Sequence, residues 1–199
     1  MPAPERVSHY NEPKVMTVRL KRTSLSLMLC ALLAYAQQAP KRAPDVRYEP
    51  SPDRAVTAML QLAGVKKGDV VYDLGCGDGR FVIAAARDFG ARGVGIDIDP
   101  ARIAESVANA KKAGVTRLVT FREEDLFEAD FHEATVVVVA LWPSLNLKLR
   151  PRLLKELRPG TRIVSIYHDM GDWTPEVARQ VDGNKIFLWR IPEKPASVK

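Results

Sequence analysis

The stretch Val70-Val71-Tyr72-Asp73-Leu74-Gly75-Cys76-Gly77-Asp78-Gly79-Arg80 decides the fold. Val70, Val71 and Leu74 suit a strand covered on both faces, and the glycines that follow allow backbone angles and a close ligand approach that a Cβ would block. A buried strand that runs into a glycine turn and then a helix binds a nucleotide-like cofactor. The spacing selects which one. A dinucleotide fingerprint carries glycine or alanine three positions after its second glycine, whereas Gly77 is followed by Asp78, Gly79 and Arg80. That G-x-G-x-G run favours S-adenosylmethionine (SAM) over NAD.

Outward from this stretch, Gly93-Val94-Gly95-Ile96-Asp97 reads as the second strand, ending in an acid placed to accept hydrogen bonds from both ribose hydroxyls. Asp99 and Pro100 already supply the cap and first residue of the next helix, which leaves Asp97 free for the ligand. Leu118-Val119-Thr120-Phe121 is the third strand, followed by the acids of Arg122-Glu123-Glu124-Asp125-Leu126. Ligands of open α/β sheets bind at the carboxyl ends of the strands, so Asp125 either accepts a hydrogen bond from an adenine amino group or joins Glu123 in a solvated acidic loop. Thr135 to Ala140 and Ile163 to Tyr167 supply the fourth and fifth strands. Val177 to Val181 and Lys185 to Ile191, joined through Asp182-Gly183-Asn184, form a terminal hairpin.

Helical signals alternate with these strands. Ser51 and Pro52 can cap and begin a helix carrying Val56, Met59, Leu60 and Leu62; Phe81 opens the helix after the glycine loop; Ile103, Val107 and Ala110 mark another. The expected fold is α/β: a doubly wound, Rossmann-like, mostly parallel sheet with a C-terminal antiparallel hairpin. The acceptor of the chemistry belongs beyond the fourth strand, at Ala140-Leu141-Trp142-Pro143-Ser144. An Asn/Asp-Pro-Pro-aromatic turn, which could grip a planar amino group, is absent there. Trp142 and Pro143 instead offer an apolar wall, which either guides the acceptor or packs in the core. His168 and Asp169, after the fifth strand, are either a proton-handling pair or loop residues.

These residues resemble class I SAM-dependent methyltransferases over Tyr48 to about Ile191. Within that class, Tyr48-Glu49-Pro50-Ser51-Pro52, Asp73-Leu74-Gly75-Cys76-Gly77-Asp78-Gly79-Arg80 and Asp169-Met170-Gly171-Asp172-Trp173 look like small bacterial relatives of the mitochondrial lysine methyltransferases of the ADP/ATP carrier and the ATP synthase c-subunit. A more distant likeness is to the non-SET histone lysine methyltransferases. The resemblance implies that Asp73 with Gly75, Cys76, Gly77 and Gly79 holds the methionine end of SAM, Asp97 the ribose, and Asp125 with Leu126 the adenine. Tyr48, by its position at the end of the N-terminal arm, either closes over the cofactor or only packs. The resemblance further implies a methyl acceptor that is an amine such as a protein lysine; Trp142, Pro143 and His168 are, by their position after the fourth and fifth strands, the candidates for the catalytic side. A small-molecule methyltransferase and a catalytically idle SAM-binding module are the alternatives.

The 199 residues suffice for one such domain, and the net charge of +6 is unevenly spread. Residues 1–47 carry 8 Lys/Arg against 3 Asp/Glu, leaving 22 against 21 in the rest, so the domain gives no charge argument for nucleic acid and none is expected as a partner. Met16 to Arg22 is basic and residues 25–36 are largely apolar, a signal-peptide or anchor-like pattern with Met16 as a plausible start. The expected division is a 1–36 extension, a 37–50 linker and a 51–199 methyltransferase domain. Arg19, Lys21 and Arg22 ahead of the apolar run favour keeping that end inside and sending the following domain out, whereas SAM is a cytoplasmic compound; a membrane-tethered enzyme is the alternative. Cys30 and Cys76 leave no pair for a disulfide in the domain, and no metal-ligand spacing occurs.

Overall fold

The computed structural model describes residues 43–193; the expectations for Met16, Cys30 and residues 25–36 fall outside them. Seven strands form one sheet: β1 (Val70–Leu74), β2 (Arg92–Asp97), β3 (Val119–Glu123), β4 (Val136–Val139), β5 (Arg162–Ile166), β6 (Val177–Val181) and β7 (Asn184–Arg190). Their spatial order is β3-β2-β1-β4-β5-β7-β6. The first five run parallel and β7 runs antiparallel between β5 and β6. The doubly wound, mostly parallel sheet with its antiparallel hairpin is therefore as expected.

Side-chain alternation explains the layers. Val137 and Val139 of β4, with Tyr72 and Leu74 of β1, pack on one face beneath Leu145, Leu149 and Leu153 of α4 (Pro143–Glu156). Val136, Val138 and Val71 face the opposite way, onto Met59 and Leu60 of α1 (Asp53–Leu62) and Phe81 and Ala85 of α2 (Arg80–Phe89). Ala110 of α3 (Pro100–Lys112) joins Val82 and Ala86 of α2 in a third cluster. Both faces of β1 are covered, so all five of its residues are buried, Asp73 included.

Several local expectations change. The first helix starts at Asp53, and Ser51 does not cap it; Ser51 is buried and its carbonyl accepts a hydrogen bond from Arg80 Nη1 instead. No helix fills the connection between β3 and β4, which folds on Asp125 through hydrogen bonds from Glu128 N and Ala129 N. The hairpin loop is the two-residue Asp182-Gly183, both at positive φ (47° and 80°), and Asn184 already pairs with Val181. Such a loop matches the twist of the strands it joins. Helix α4 has no counterpart among the sequence expectations. It tolerates Pro143 at its first position, where an N–H has no partner anyway. Pro151 inside it forfeits one helical hydrogen bond, offset by the burial of Leu145, Leu149 and Leu153.

Candidate active site

The sheet order reverses between β1 and β4, and a cleft opens at the carboxyl ends of these strands. Asp73 from the end of β1, Asp97 from β2, Asp125 and Leu126 after β3, and Ala140 and Leu141 after β4 line it, together with Gly75 and Cys76. Gly77 and Gly79 do not. Gly77 is covered by the Tyr48 ring, which a Cβ there would meet at 2.2 Å, and a Cβ on Gly79 would meet Phe121 at 2.7 Å. With φ of 89°, 54° and 81° at Gly75, Gly77 and Gly79, the loop needs glycine for its conformation as well as for space.

Three groups outside the glycine run hold the loop in place. Ser106 Oγ of α3 donates to Gly77 O (2.8 Å), Asn109 Nδ2 donates to Asp78 O (3.0 Å), and Asp97 Oδ2 accepts from Gly77 N (2.8 Å). Asp97 Oδ1 also accepts from Asp99 N (3.0 Å), so Asp97 is not free as expected from sequence. It staples the loop to β2, and each carboxylate oxygen keeps further acceptor capacity. Asp99 does cap α3, accepting from Ala101 N at 2.8 Å.

Residues 44–51, expected from sequence mainly as linker, form a strap along the cleft. Arg80 fixes it: the guanidinium donates to Ser51 O and grips Asp78 through Nε (2.9 Å) and Nη2 (2.6 Å). Tyr48 packs on Gly77 beneath the guanidinium of Arg102, 4.9 Å from its ring centroid. Burial opposes ionisation of Asp78, but the Arg80 hydrogen bonds and charge hold its carboxyl below the usual range. Arg80, Ser106, Asn109 and Arg102 carry no sequence signature of these roles; they act through contacts that only folding creates.

Asp73 is the exception among these satisfied groups. It is 1% exposed, and neither carboxylate oxygen has a hydrogen-bond partner. Burial first, then the Asp97 and Asp78 carboxylates, push its carboxyl well above the usual range, against the opposing pull of Arg80. A buried acceptor left without a donor is costly in a folded protein, and it marks a place for a cationic donor from outside. The α-ammonium of SAM is such a donor, and the residues present fit that cofactor. Cys76 is buried, and burial, with the Asp73 and Asp97 carboxylates, pushes its thiol pKa upward.

Of the residues expected on the acceptor side, none lines the cleft itself. Trp142 follows the cleft residues Ala140 and Leu141, caps α4 and is 54% exposed, which removes the core-packing alternative. Pro143 opens α4, and the His168 ring lies 6.4 Å from the Trp142 ring. The nearby Asp169-to-Trp173 segment is a structural loop. A Cβ on Gly171 would meet Leu147 at 2.7 Å, Arg150 binds Met170 O and Asp172, and Trp173 O accepts from Trp189 Nε1 (2.7 Å). Among the described residues no metal-holding cluster occurs, and no helix is long and apolar enough to cross a membrane.

The sequence profile of the ANTKMT methyltransferase domain matches residues 73–177, from the orphaned Asp73 to the start of β6. The chain belongs to this family. It is a SAM-dependent methyltransferase. A protein-lysine N-methyltransferase of Saccharolobus islandicus (strain REY15A) is 45% identical over 155 residues, spanning 75% of this chain and 96% of that protein. The lysine N-methyltransferase of the ATP synthase c-subunit from Mus musculus is 30% identical, over 78% of this chain and 67% of its own length. Among solved structures, one described as an RNA methyltransferase from Salinibacter ruber, in complex with S-adenosyl-L-homocysteine, is 53% identical. It superposes with a TM-score of 0.74, covering 75% of this chain and 98% of that one. ANTKMT-family membership thus accounts for the cleft at the switch point, the glycine loop and the orphaned acid together.

Proposed function

We propose that this enzyme transfers the methyl of SAM to the side-chain amine of a protein lysine. The observation that carries the reading is the charge of the cleft. Seven of its lining residues are carboxylates (Asp45, Glu49, Asp73, Asp78, Asp97, Asp99 and Asp125) against three arginines (Arg47, Arg80 and Arg102). That balance suits a cationic cofactor and a cationic acceptor and disfavours a phosphate backbone, which cationic surfaces attract. The names of the Saccharolobus and mouse relatives point the same way.

Within this reading, Asp73 holds the methionine ammonium, Gly75 and Cys76 let the methionine end approach the backbone, and Gly77 and Gly79 give the loop its conformation. Asp97 accepts from the ribose, Asp125 and Leu126 border the adenine, and Tyr48 closes the strap. SAM supplies an electrophilic methyl on a sulfonium. The protein's part is alignment, together with a route by which the amine loses its proton before attack. Trp142, Pro143 and His168 serve the acceptor side, where an apolar, aromatic wall guides the lysine stem. An apolar segment at residues 25–36 would keep such an enzyme near a membrane, and the acceptor of the mouse relative, by its name, is the ATP synthase c-subunit.

The test is to incubate the full chain with methyl-labelled SAM and separated protein, RNA and small-molecule fractions of its source cells. Label on the Nε of a protein lysine, lost in Asp97→Ala, is expected. The name of the 53% identical structure supports the competing reading, and label entering RNA would establish it at the expense of the lysine assignment. Label only on small molecules would equally overturn the proposal.

A further inference from the structure

Tyr167 stands out among the described residues as a bulky side chain in a conformation that glycine prefers. Its φ is 67°, and His168 N donates across it to Ile166 O at 2.8 Å, the closure of a positive-φ γ-turn, which is rare and strained. The strain is held from three sides. Tyr167 N donates to Lys185 O of β7 (2.8 Å), Ser165 Oγ donates to His168 O (2.7 Å), and the buried Asn146 of α4 reaches His168 O and Asp169 O through Nδ2 (3.5 and 3.4 Å). Backbone strain that the surroundings enforce this firmly clusters at functional sites.

What the turn achieves is to place an aromatic ring on the surface. Tyr167 is 48% exposed, its ring lies 6.3 Å from that of His168, and His168 is in turn 6.4 Å from the half-exposed Trp142. Burial would explain none of this, since Tyr167 contributes little to the core. The cluster adjoins the cleft through Ala140 and Leu141, which precede Trp142 in the chain and line the cleft. Aromatic faces carry negative quadrupoles, so three rings beside an acid-rich cleft suit an alkyl-ammonium group with an apolar stem.

We infer that Tyr167, held in its γ-turn by Ser165 and Asn146, completes with Trp142 and His168 an aromatic site for the alkyl-ammonium side chain of the acceptor, and so determines which acceptors the enzyme takes. The inference deepens the lysine reading and rests on it for the identity of the acceptor, though not for the binding of the cation.

Two measurements test it. The first compares wild type with Tyr167→Phe, Tyr167→Ala and Tyr167→Gly for acceptor KM and kcat, for S-adenosylhomocysteine affinity, and for thermal stability. Loss of the ring should raise acceptor KM roughly 5-fold or more while cofactor affinity stays unchanged, and Tyr167→Phe should behave as wild type. Tyr167→Gly separates function from folding, because glycine relieves the positive φ: its melting temperature should equal or exceed that of wild type while its KM rises. An unchanged KM in a folded Tyr167→Gly protein would overturn the inference.

The second measurement needs no turnover. Tetramethylammonium and its neutral isostere neopentane are titrated into the S-adenosylhomocysteine-loaded full-length enzyme, and the fluorescence of Trp142 is followed against a Trp142→Phe control. Cation-selective quenching that disappears in Tyr167→Gly supports the site even if the labelling experiment finds no lysine acceptor. Equal responses to the two probes, or none, would overturn it whatever the natural acceptor proves to be.

Discussion

Asp69, just ahead of β1, and Asp73, near its carboxyl end, stand four residues apart, both nearly inaccessible (5% and 1% exposed), and they meet opposite fates. At the amino end of β1, Asp69 accepts from Thr135 Oγ1 (2.8 Å), from Lys66 N (2.9 Å) and from Arg162. Burial opposes its ionisation, but these hydrogen bonds keep its carboxyl below the usual range. At the carboxyl end, Asp73 has no partner and its carboxyl is driven well above that range. The same residue type thus ties the chain together at one end of β1 and stands buried without a partner at the other, where the proposed reading places the cofactor ammonium. An acid satisfied by its own chain secures the fold, whereas one left unsatisfied records where a ligand must supply what the chain does not.

The largest effect should come from breaking the satisfied end. Asp69→Ala leaves the Arg162 guanidinium, 14% exposed, without its carboxylate, and chemical denaturation should show a loss of about 3–5 kcal/mol with cofactor affinity retained. The two ends should also differ in their pH dependence. The stability due to Asp69, whose folded pKa is depressed, is present above its unfolded value of about 3.9 and is lost as pH falls through the folded value. For Asp73 the sign reverses. Its folded pKa is raised, so its contribution in the ligand-free protein is fully present below about 3.9 and declines as pH rises toward the folded value. Melting curves across pH 3 to 8 should show a shallower acid limb in Asp69→Asn and a flatter neutral limb in Asp73→Asn.

At the cleft end, Asp97→Ala removes an acceptor from two backbone amides and, on the proposed reading, from the ribose. Calorimetric titration with S-adenosylhomocysteine should show affinity lower by about 10- to 100-fold, the equivalent of about 1.5–3 kcal/mol. The smallest effect is predicted for Ser106→Ala, which deletes one buried hydrogen bond to Gly77 O and should weaken cofactor binding by about 1 kcal/mol. A loss there as large as that of Asp97→Ala would show that loop rigidity, rather than direct contact, dominates binding.

The carboxyl end was the more legible half in sequence, because its signals are local. The run from Asp73 to Arg80 carries strand, turn and helix start in order, and Asp97 and Asp125 fall at strand ends by simple alternation. The supports were not legible, since Ser106 and Asn109 reach the loop from a helix about 30 residues away. The Arg80 link to Ser51 O likewise exists only once the strap has folded back. Tyr167 escaped because a left-handed tyrosine has no sequence signature, and its turn is imposed by Ser165, Asn146 and β7. At the amino end, the Asp69–Thr135–Arg162 network joins three distant segments and left no local trace. Helix α4 was hidden by its own Pro143 and Pro151, whose effect depends on position within the helix rather than on presence.

The contrast between the two acids is tested most directly by calorimetric titration of S-adenosylmethionine into wild type and Asp73→Asn, paired with melting curves of both ligand-free proteins at pH 7.5. Asp73→Asn should bind about 10- to 100-fold more weakly and melt at a higher temperature, because it removes a buried acid that no group of the protein satisfies. Unchanged affinity together with a lower melting temperature would contradict this, by showing that Asp73 secures the fold as Asp69 does.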